Sequence, residues 1–282
     1  MSIAVVTDST ASLSADLLAA YGISVVPIQV VIGAETFVDG PGVTAEMISV
    51  ALRAFVPVNT SRPSPLAFAE VYAAAVAAGA DQIVSVHLSS KISGTYESAV
   101  LAGRDAGVPV HTIDTGQVGI AAGFCSVNAA RVAAAGGDVD AVVAAARMSA
   151  AGAATYFYVD TLEFLRRGGR IGAAAALIGS ALAVKPLLTV TDGQIAALEK
   201  VRTSAKALGR LHDLVVAHVG DGAAGFHVGV QHLANEAVAH SVADRIAQTL
   251  GIGDIPVREV GASIGAHVGP GMISVGAVPR IE

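Results

Sequence analysis

The 282-residue chain has no tryptophan and a single cysteine, Cys125; aromatic residues make up 4% of it and charged residues 14%. One cysteine excludes an internal disulfide framework and fits a reducing compartment. Taken alone, Cys125 reads as a small buried hydrophobe. Scarce aromatic faces and a net charge of −6 exclude a typical nucleic-acid binder, which uses a basic surface and stacking platforms. Long apolar runs are missing as well. Hydrophobic residues reach 53% and mean hydropathy is +0.64, yet the longest weakly polar stretch, 172–184, is only 13 residues and contains Ser180. A membrane-spanning helix takes about 20 apolar residues, so no stable membrane insertion is expected. The apolar run Ile3–Val6 soon meets Asp8, which gives no signal-peptide pattern and leads to the expectation of a cytoplasmic protein. Within this acidic chain, residues 156–210 carry 8 basic and 4 acidic side chains. That segment fits a docking surface or an anionic ligand, and equally the ordinary charged faces of helices.

What is present is an alternation of short β-branched runs with Ala-rich helical stretches. Strands are expected at Ile3–Thr7, Ser24–Ile32, Glu35–Val38, Gln82–Leu88 and Val110–Ile113, with a hairpin near Gly33. Helices are expected at Ser12–Tyr21, Thr44–Phe55, Ser64–Gly79, Gly119–Ala135 and Val139–Ala151. Ser64-Pro65 has the form of a cap followed by proline at the first helical position. Pro57–Pro65, with three prolines in nine residues, reads as a loop. Strands separated by helices imply a mostly parallel, covered sheet. From Thr155 the texture changes. Asp192-Gly193 between two strand-like runs signals a hairpin and antiparallel pairing, an Ala-rich helix is expected after Gly172, and further helices at Ser204–Val216 and Asn235–Leu250 alternate with strands near Phe226–Gln231 and Val257–Val260. The expected fold is α/β with two domains: residues 1–155 a mostly parallel sheet covered by helices, and residues 156–282 an α+β domain with a mixed or antiparallel sheet.

The feature with most chemistry is Ser89 to Ala99, SSKISGTYESA. It sets four hydroxyl side chains (Ser89, Ser90, Ser93, Thr95) and Gly94 between an expected buried strand and an expected helix, with Thr95 or Ser93 expected as cap. Such a junction presents unpartnered N–H groups beside hydroxyl donors, an anion-binding arrangement. The loop from Ser89 to Thr95 holds no Asp, Glu or His, so it is suited to holding an anion rather than to moving protons. Asp8-Ser9-Thr10, Asn59-Thr60-Ser61-Arg62 and Asp114-Thr115-Gly116 are comparable loops. Each alone is a cap or an Asx-turn; together they point to one site at the carboxyl edge of the sheet.

VVTDSTASLS at 5–14, NTSRPSP at 59–65, SSKISGTYESA at 89–99, DTLEFLRRGGRIG at 160–172, KPLLTVTDGQI at 185–195, KVRT at 200–203 and GAHVGPGMISVG at 265–276 occur in the order seen in the DegV family, which the chain resembles over essentially its whole length. The resemblance implies a cytosolic two-domain protein that binds one long-chain fatty acid between its domains, with no other cofactor. It further implies, for members of the FakB type, presentation of the carboxylate to a separate ATP-dependent fatty acid kinase for phospholipid synthesis, by a monomer that is not itself catalytic. The positions that match carboxylate-holding hydroxyls are Thr60, Ser61 and Ser93, with Gly94, Thr95 and Gly269 adjoining. His267 matches the histidine near the head group. Arg170 and Arg202 match arginines near the site or its kinase-facing rim. Three positions depart from the family pattern: Arg62 where glutamine is common, Lys91 where a small residue is frequent, and Val268 where threonine often follows the histidine.

A serine hydrolase using Ser93 with His267 or His87 is the enzymatic alternative, but KISGT lacks the G-x-S-x-G elbow. G-x-x-x-x-G-K-[ST] does not occur, and the G-x-G-x-x-G match at 220–225 follows a helical run and precedes a strand-like one instead of opening a helix after a strand, which speaks against a nucleotide site. His232, Glu236 and His240 have the spacing of one helix face, but no third ligand is identified and no metal is expected. His87 reads as a structural histidine.

Overall fold

The computed structural model describes residues 2–40, 42–177 and 185–281. In chain order its first half comprises β1 (Ile3–Asp8), α1 (Ala15–Tyr21), β2 (Ser24–Val26), β3 (Gln29–Ile32), β4 (Glu35–Val38), α2 (Ala45–Arg53), β5 (Val58–Ser61), α3 (Pro65–Ala77), β6 (Gln82–His87), α4 (Thr95–Gly103), β7 (Val110–Asp114), α5 (Ile120–Ala134) and α6 (Val139–Ala151). Strands β2-β1-β6-β7 form a parallel sheet. Successive side chains leave a strand on opposite faces. Accordingly Val5, Val84 and Val86 pack against α5 and α6, while Val6 and Ile83 pack against Phe68 and Tyr72 of α3. Both faces are covered, and all six residues of β6 are buried.

Two expectations change here. Ser24–Ile32, expected as one strand, is broken at Pro27-Ile28: β2 stays in the parallel sheet and β3 enters a separate antiparallel sheet of order β4-β3-β5. Proline has no N–H to give to a ladder, so a crossing between sheets is where it fits. The loop expected at 57–65 contains β5, paired with β3 so that Thr60 lies opposite Val30. Its four residues Val-Asn-Thr-Ser carry too little apolar alternation to stand out between prolines. Ser64 caps α3 with Pro65 at its start, as expected.

The second half comprises β8 (Ala154–Tyr158), α7 (Glu163–Arg167), β9 (Lys185–Thr191), β10 (Gln194–Val201), α8 (Ser204–Val219), β11 (Phe226–His232), α9 (Glu236–Leu250), β12 (Val257–Glu259), α10 (Ala262–Val268) and β13 (Ile273–Pro279). These strands form a mixed sheet of order β10-β9-β8-β13-β11-β12, antiparallel except between β11 and β12. Helices α8 and α9 cover one face, and α5 reaches the other. The β9–β10 hairpin turns at Asp192 (φ 50°) and Gly193 (φ 75°), the doubly left-handed turn that Asp-Gly favours. Strand β13, which the sequence reading passed over, runs through the middle of the sheet with six of its seven residues buried. Of the helix expected after Gly172, residues 172–177 form a 3₁₀ helix and 178–184 lie outside the described residues. His232 ends a strand while Glu236 begins a helix, so the three-residue stripe does not lie on one helix face.

The fold is thus a two-domain α/β arrangement, with a covered parallel sheet first and a mixed sheet second. A division at 155/156 would cut β8, all of which belongs to the second sheet; we place it instead between α6 and β8. No helix among the described residues is long and apolar enough to cross a membrane.

Candidate ligand-binding site

Between the two sheets lies a cavity lined by residues from both halves of the chain. The carboxyl end of the parallel sheet contributes Thr10, Leu88, Ile92 and Ser93; the small sheet and the chain around it contribute Ile28, Thr60, Ser61 and Arg62; β8, β10, β11 and β13 contribute Phe157, Ile195, Gln231 and Ser274; α10 contributes Ile264, His267 and Val268. Most of the remaining wall is apolar, with Val118, Leu165, Val260 and Met272. Of the four hydroxyl loops, those at 8–10, 59–62 and 89–95 each reach this largely apolar chamber, whereas Asp114, Thr115 and Gly116 are not in its wall.

In that wall Thr60 Oγ1 pairs with His267 Nε2 at 2.8 Å. Thr60 is held on a ladder strand, and His267 sits in the last turn of α10. The imidazole is packed so closely by α7 that a Cβ on Gly168 would overlap the ring, and one on Gly269 (φ 74°) would overlap the Phe164 ring. Only glycine permits both approaches. His267 Nδ1 is buried without a partner. Burial, and secondarily the Arg170 guanidinium, push the His267 pKa down to about 4, so the ring is neutral at pH 7. Arg170 donates through Nη1 to the Gly168 carbonyl (2.7 Å) and through Nε to the Ile92 carbonyl (3.3 Å). It ties the second half of the chain to the hydroxyl loop while facing the cavity.

In that loop Ser93 and Thr95 share a hydrogen bond of 2.9 Å. Neither caps the following helix: α4 begins at Thr95 with Gly94 as N-cap and no side-chain cap hydrogen bond. The Ser93 and Thr95 hydroxyls face each other instead, and the helix start keeps open N–H groups. Ser89, expected as part of the cradle, is buried and donates to the Gly193 carbonyl at 2.6 Å, pinning the β9–β10 hairpin to the parallel sheet. Ser90 donates to Asp114 at 2.5 Å. Both are structural. Arg62 lies directly over Gly94, where a Cβ would touch its guanidinium, and lines the cavity; Lys91 reaches across Gly193.

Of the expected positions, then, Thr60, Ser61, Ser93, Arg170 and His267 line one cavity together with Arg62 and Val268, whereas Gly94, Thr95 and Gly269 are absent from its wall. Thr95 is wholly buried behind Ser93, and Gly269 serves to admit the Phe164 ring. Arg202 is exposed at the end of the β9–β10 hairpin, outside the cavity. Gln231, Thr155, Ser263 and Ser274 were missed; the β-branched run after Gly271 was the available signal for β13, and with it for Ser274.

A serine–histidine–acid array is present, but elsewhere. His87 joins Asp8 (2.9 Å) and Ser85 (2.6 Å), and Tyr72 donates to Ser85 (2.8 Å). Asp8, Ser85, His87 and Tyr72 are at most 1% exposed, so no substrate reaches them. At the cavity His267 is paired with Thr60 and Ser93 with Thr95, so the nucleophile–base hydrogen bond that a hydrolase requires is not made between Ser93 and His267. Among the described residues no group of three His, Cys, Asp or Glu is placed to hold a metal ion.

The two sheets thus hold between them a largely apolar chamber with hydroxyls and a neutral histidine in its wall. Residues 2–280 match the family model described as an uncharacterised protein of the DegV family. A DegV domain-containing protein of Streptomyces coelicolor is 50% identical over 274 residues, 97% of each chain. Among solved structures, a fatty-acid-binding DegV family protein from Thermus thermophilus is 32% identical with a TM-score of 0.92, covering 99% of this chain and 100% of that one. The fatty-acid-binding DegV protein of Bacillus subtilis is 30% identical with a TM-score of 0.89 over the same shares. The chain belongs to the DegV family.

Proposed function

We propose that the protein binds one long-chain fatty acid, its carboxylate at the Thr60–Ser61–Ser93–His267 end and its tail along the apolar wall, and presents the carboxylate to a separate ATP-dependent fatty acid kinase. The observation that carries this reading is the neutral His267–Thr60 pair in the wall of a mostly apolar chamber. Hydroxyl donors can hold a carboxylate through charge-assisted hydrogen bonds without enclosing it in a bidentate arginine fork, which would shield it from a second protein. Each methylene of the tail taken out of water contributes about 0.8 kcal/mol. The fatty-acid-binding relatives from Thermus thermophilus and Bacillus subtilis support the ligand class. The kinase, the role in phospholipid synthesis, a monomeric state and a cytoplasmic location belong to the proposal on the strength of the motif resemblance. In this reading the chain has no catalytic group of its own, and Arg202 and the basic segment around it serve the partner.

The test is to purify the protein under native conditions, extract it with organic solvent and identify the bound lipid by mass spectrometry. About one acyl chain per protein is the expected result. Stoichiometric nucleotide or metal with no acyl chain would overturn it. Adding kinase and ATP to the loaded protein then tests presentation through acyl phosphate formation.

A further inference from the structure

Besides Thr60, Ser61, Ser93, His267 and the two arginines, the cavity wall carries five polar side chains: Thr10, Thr155, Gln231, Ser263 and Ser274. Three are already engaged. Thr10 donates to Asp8, Thr155 to Gln117, and Ser263 to Asp39. The other two are not. Gln231 is 3% exposed. Its Oε1 accepts the Ile120 N–H at 2.9 Å, which fixes the amide orientation, because a backbone N–H can only face the oxygen. Its Nε2 is consequently the free arm, buried and without a partner among the described residues. Ser274 lies directly opposite Gln231 in the β11–β13 register and makes no side-chain hydrogen bond among the described residues. Cross-strand partners of this kind stand side by side on one face of a sheet. In the same row comes Phe157, opposite Ser274 on β8 and also in the wall.

An unbranched, wholly apolar tail lying over this pair would leave a buried N–H and a hydroxyl without partners, at a cost of about 1–3 kcal/mol for such a group. We propose that Gln231 and Ser274 form an oxygen-recognising site within the cavity, and that the chain's preferred ligand is an oxygenated fatty acid, one carrying a hydroxyl or keto oxygen along its tail. The Gln231 carboxamide donates to that oxygen, and the Ser274 hydroxyl either donates to it or accepts from it. This inference rests on the fatty-acid reading above and narrows its ligand class. The other occupant able to satisfy the pair is an ordered water, under which the tail would be unsubstituted.

The experiment measures affinities of the delipidated full chain for octadecanoic acid and for series of its monohydroxy and keto derivatives with the oxygen moved stepwise along the chain. One hydrogen bond contributes about 1 kcal/mol net, and each 1.4 kcal/mol is tenfold in affinity. One hydroxyl position is therefore expected to bind about fivefold tighter than the unsubstituted acid, with the other positions weaker. Ser274→Ala leaves the Gln231–Ile120 hydrogen bond in place and is expected to reduce that preference. Gln231→Glu keeps an acceptor for Ile120 while removing the amide donor, and is expected to remove the preference for a keto acid in particular. If the unsubstituted acid binds as tightly as every derivative, or if the preference survives both variants, the site holds water and the inference fails. If no acid in the series binds, the fatty-acid reading itself has failed and this inference with it.

Discussion

His267 joins strand, helix and cavity in one side chain, and its environment sets two measurable behaviours. Thr60→Val removes the partner of Nε2 and leaves both ring nitrogens unpaired; it is expected to cost about 1–3 kcal/mol in stability and about tenfold in fatty-acid retention, read by thermal unfolding and by a displacement titration. Ser93→Ala is expected to weaken retention while the fold survives, since among the described residues the Ser93 hydroxyl is paired with Thr95 alone; unchanged retention would remove Ser93 from the carboxylate site. The pH dependence follows from the depressed pKa of about 4. Unfolded histidine takes its proton near pH 6.5, so between about 6.5 and 4 the unfolded state binds more protons, and stability falls as the pH falls through that window. His227, stacked on Phe124 and likewise held at about 4 by burial, adds to the same loss. Thermal midpoints across this window should drop less steeply in His267→Gln, with His227 and His232, whose pKa burial also lowers, contributing to the remaining slope. At this scale the sequence was informative about the hydroxyl-bearing positions because residue type alone advertises them. It was silent on Gln231, whose role depends on a neighbour 111 positions away.

At the scale of elements, the contact between α7 and α10 sets the head-group geometry through Gly168. Gly168→Ala places a methyl group where the His267 ring stands. It is expected to lower stability by about 1–3 kcal/mol through overpacking and to abolish fatty-acid binding in the protein that still folds; binding unchanged in a folded variant would show that the ring can move without consequence. The longer helices, the parallel strands and the Asp-Gly hairpin were legible in the sequence because period, caps and turn residues agreed there, whereas the short α7 and α10 were not expected. Strand β5 and the Pro27 crossing were not, since Val-Asn-Thr-Ser between prolines satisfies no template and only the β3 ladder makes it a strand. Strand β13 was legible in principle, with Ile273, Val275 and Val278 as its β-branched residues.

Across the whole molecule, the excess of positive charge in residues 156–210 splits between local pairs and open sites. Arg166 and Arg167 share Glu163, and Arg210 pairs with Glu199 and Asp213, whereas Arg202 is exposed and outside the cavity. Arg202→Ala is accordingly expected to lower acyl phosphate formation in the presence of kinase by several-fold while fatty-acid affinity stays within twofold; equal loss of both would relocate Arg202 to the ligand pocket. The two-sheet plan was readable from the change of texture near residue 155, but the cavity between the sheets was not, because it is made by contacts such as Ser89 to Gly193 that join residues 104 apart. The buried array of Asp8, His87, Ser85 and Tyr72 has a consequence of its own at this scale. Strands β1 and β6 are both short runs rich in β-branched residues, and hydrophobic burial alone would accept them slid past each other by two residues. Any such slide separates Asp8 from His87 and strands a carboxylate in the interior. The array thereby works as an alignment key, rejecting mispaired sheets during folding and fixing the strand ends from which the hydroxyl loops depart.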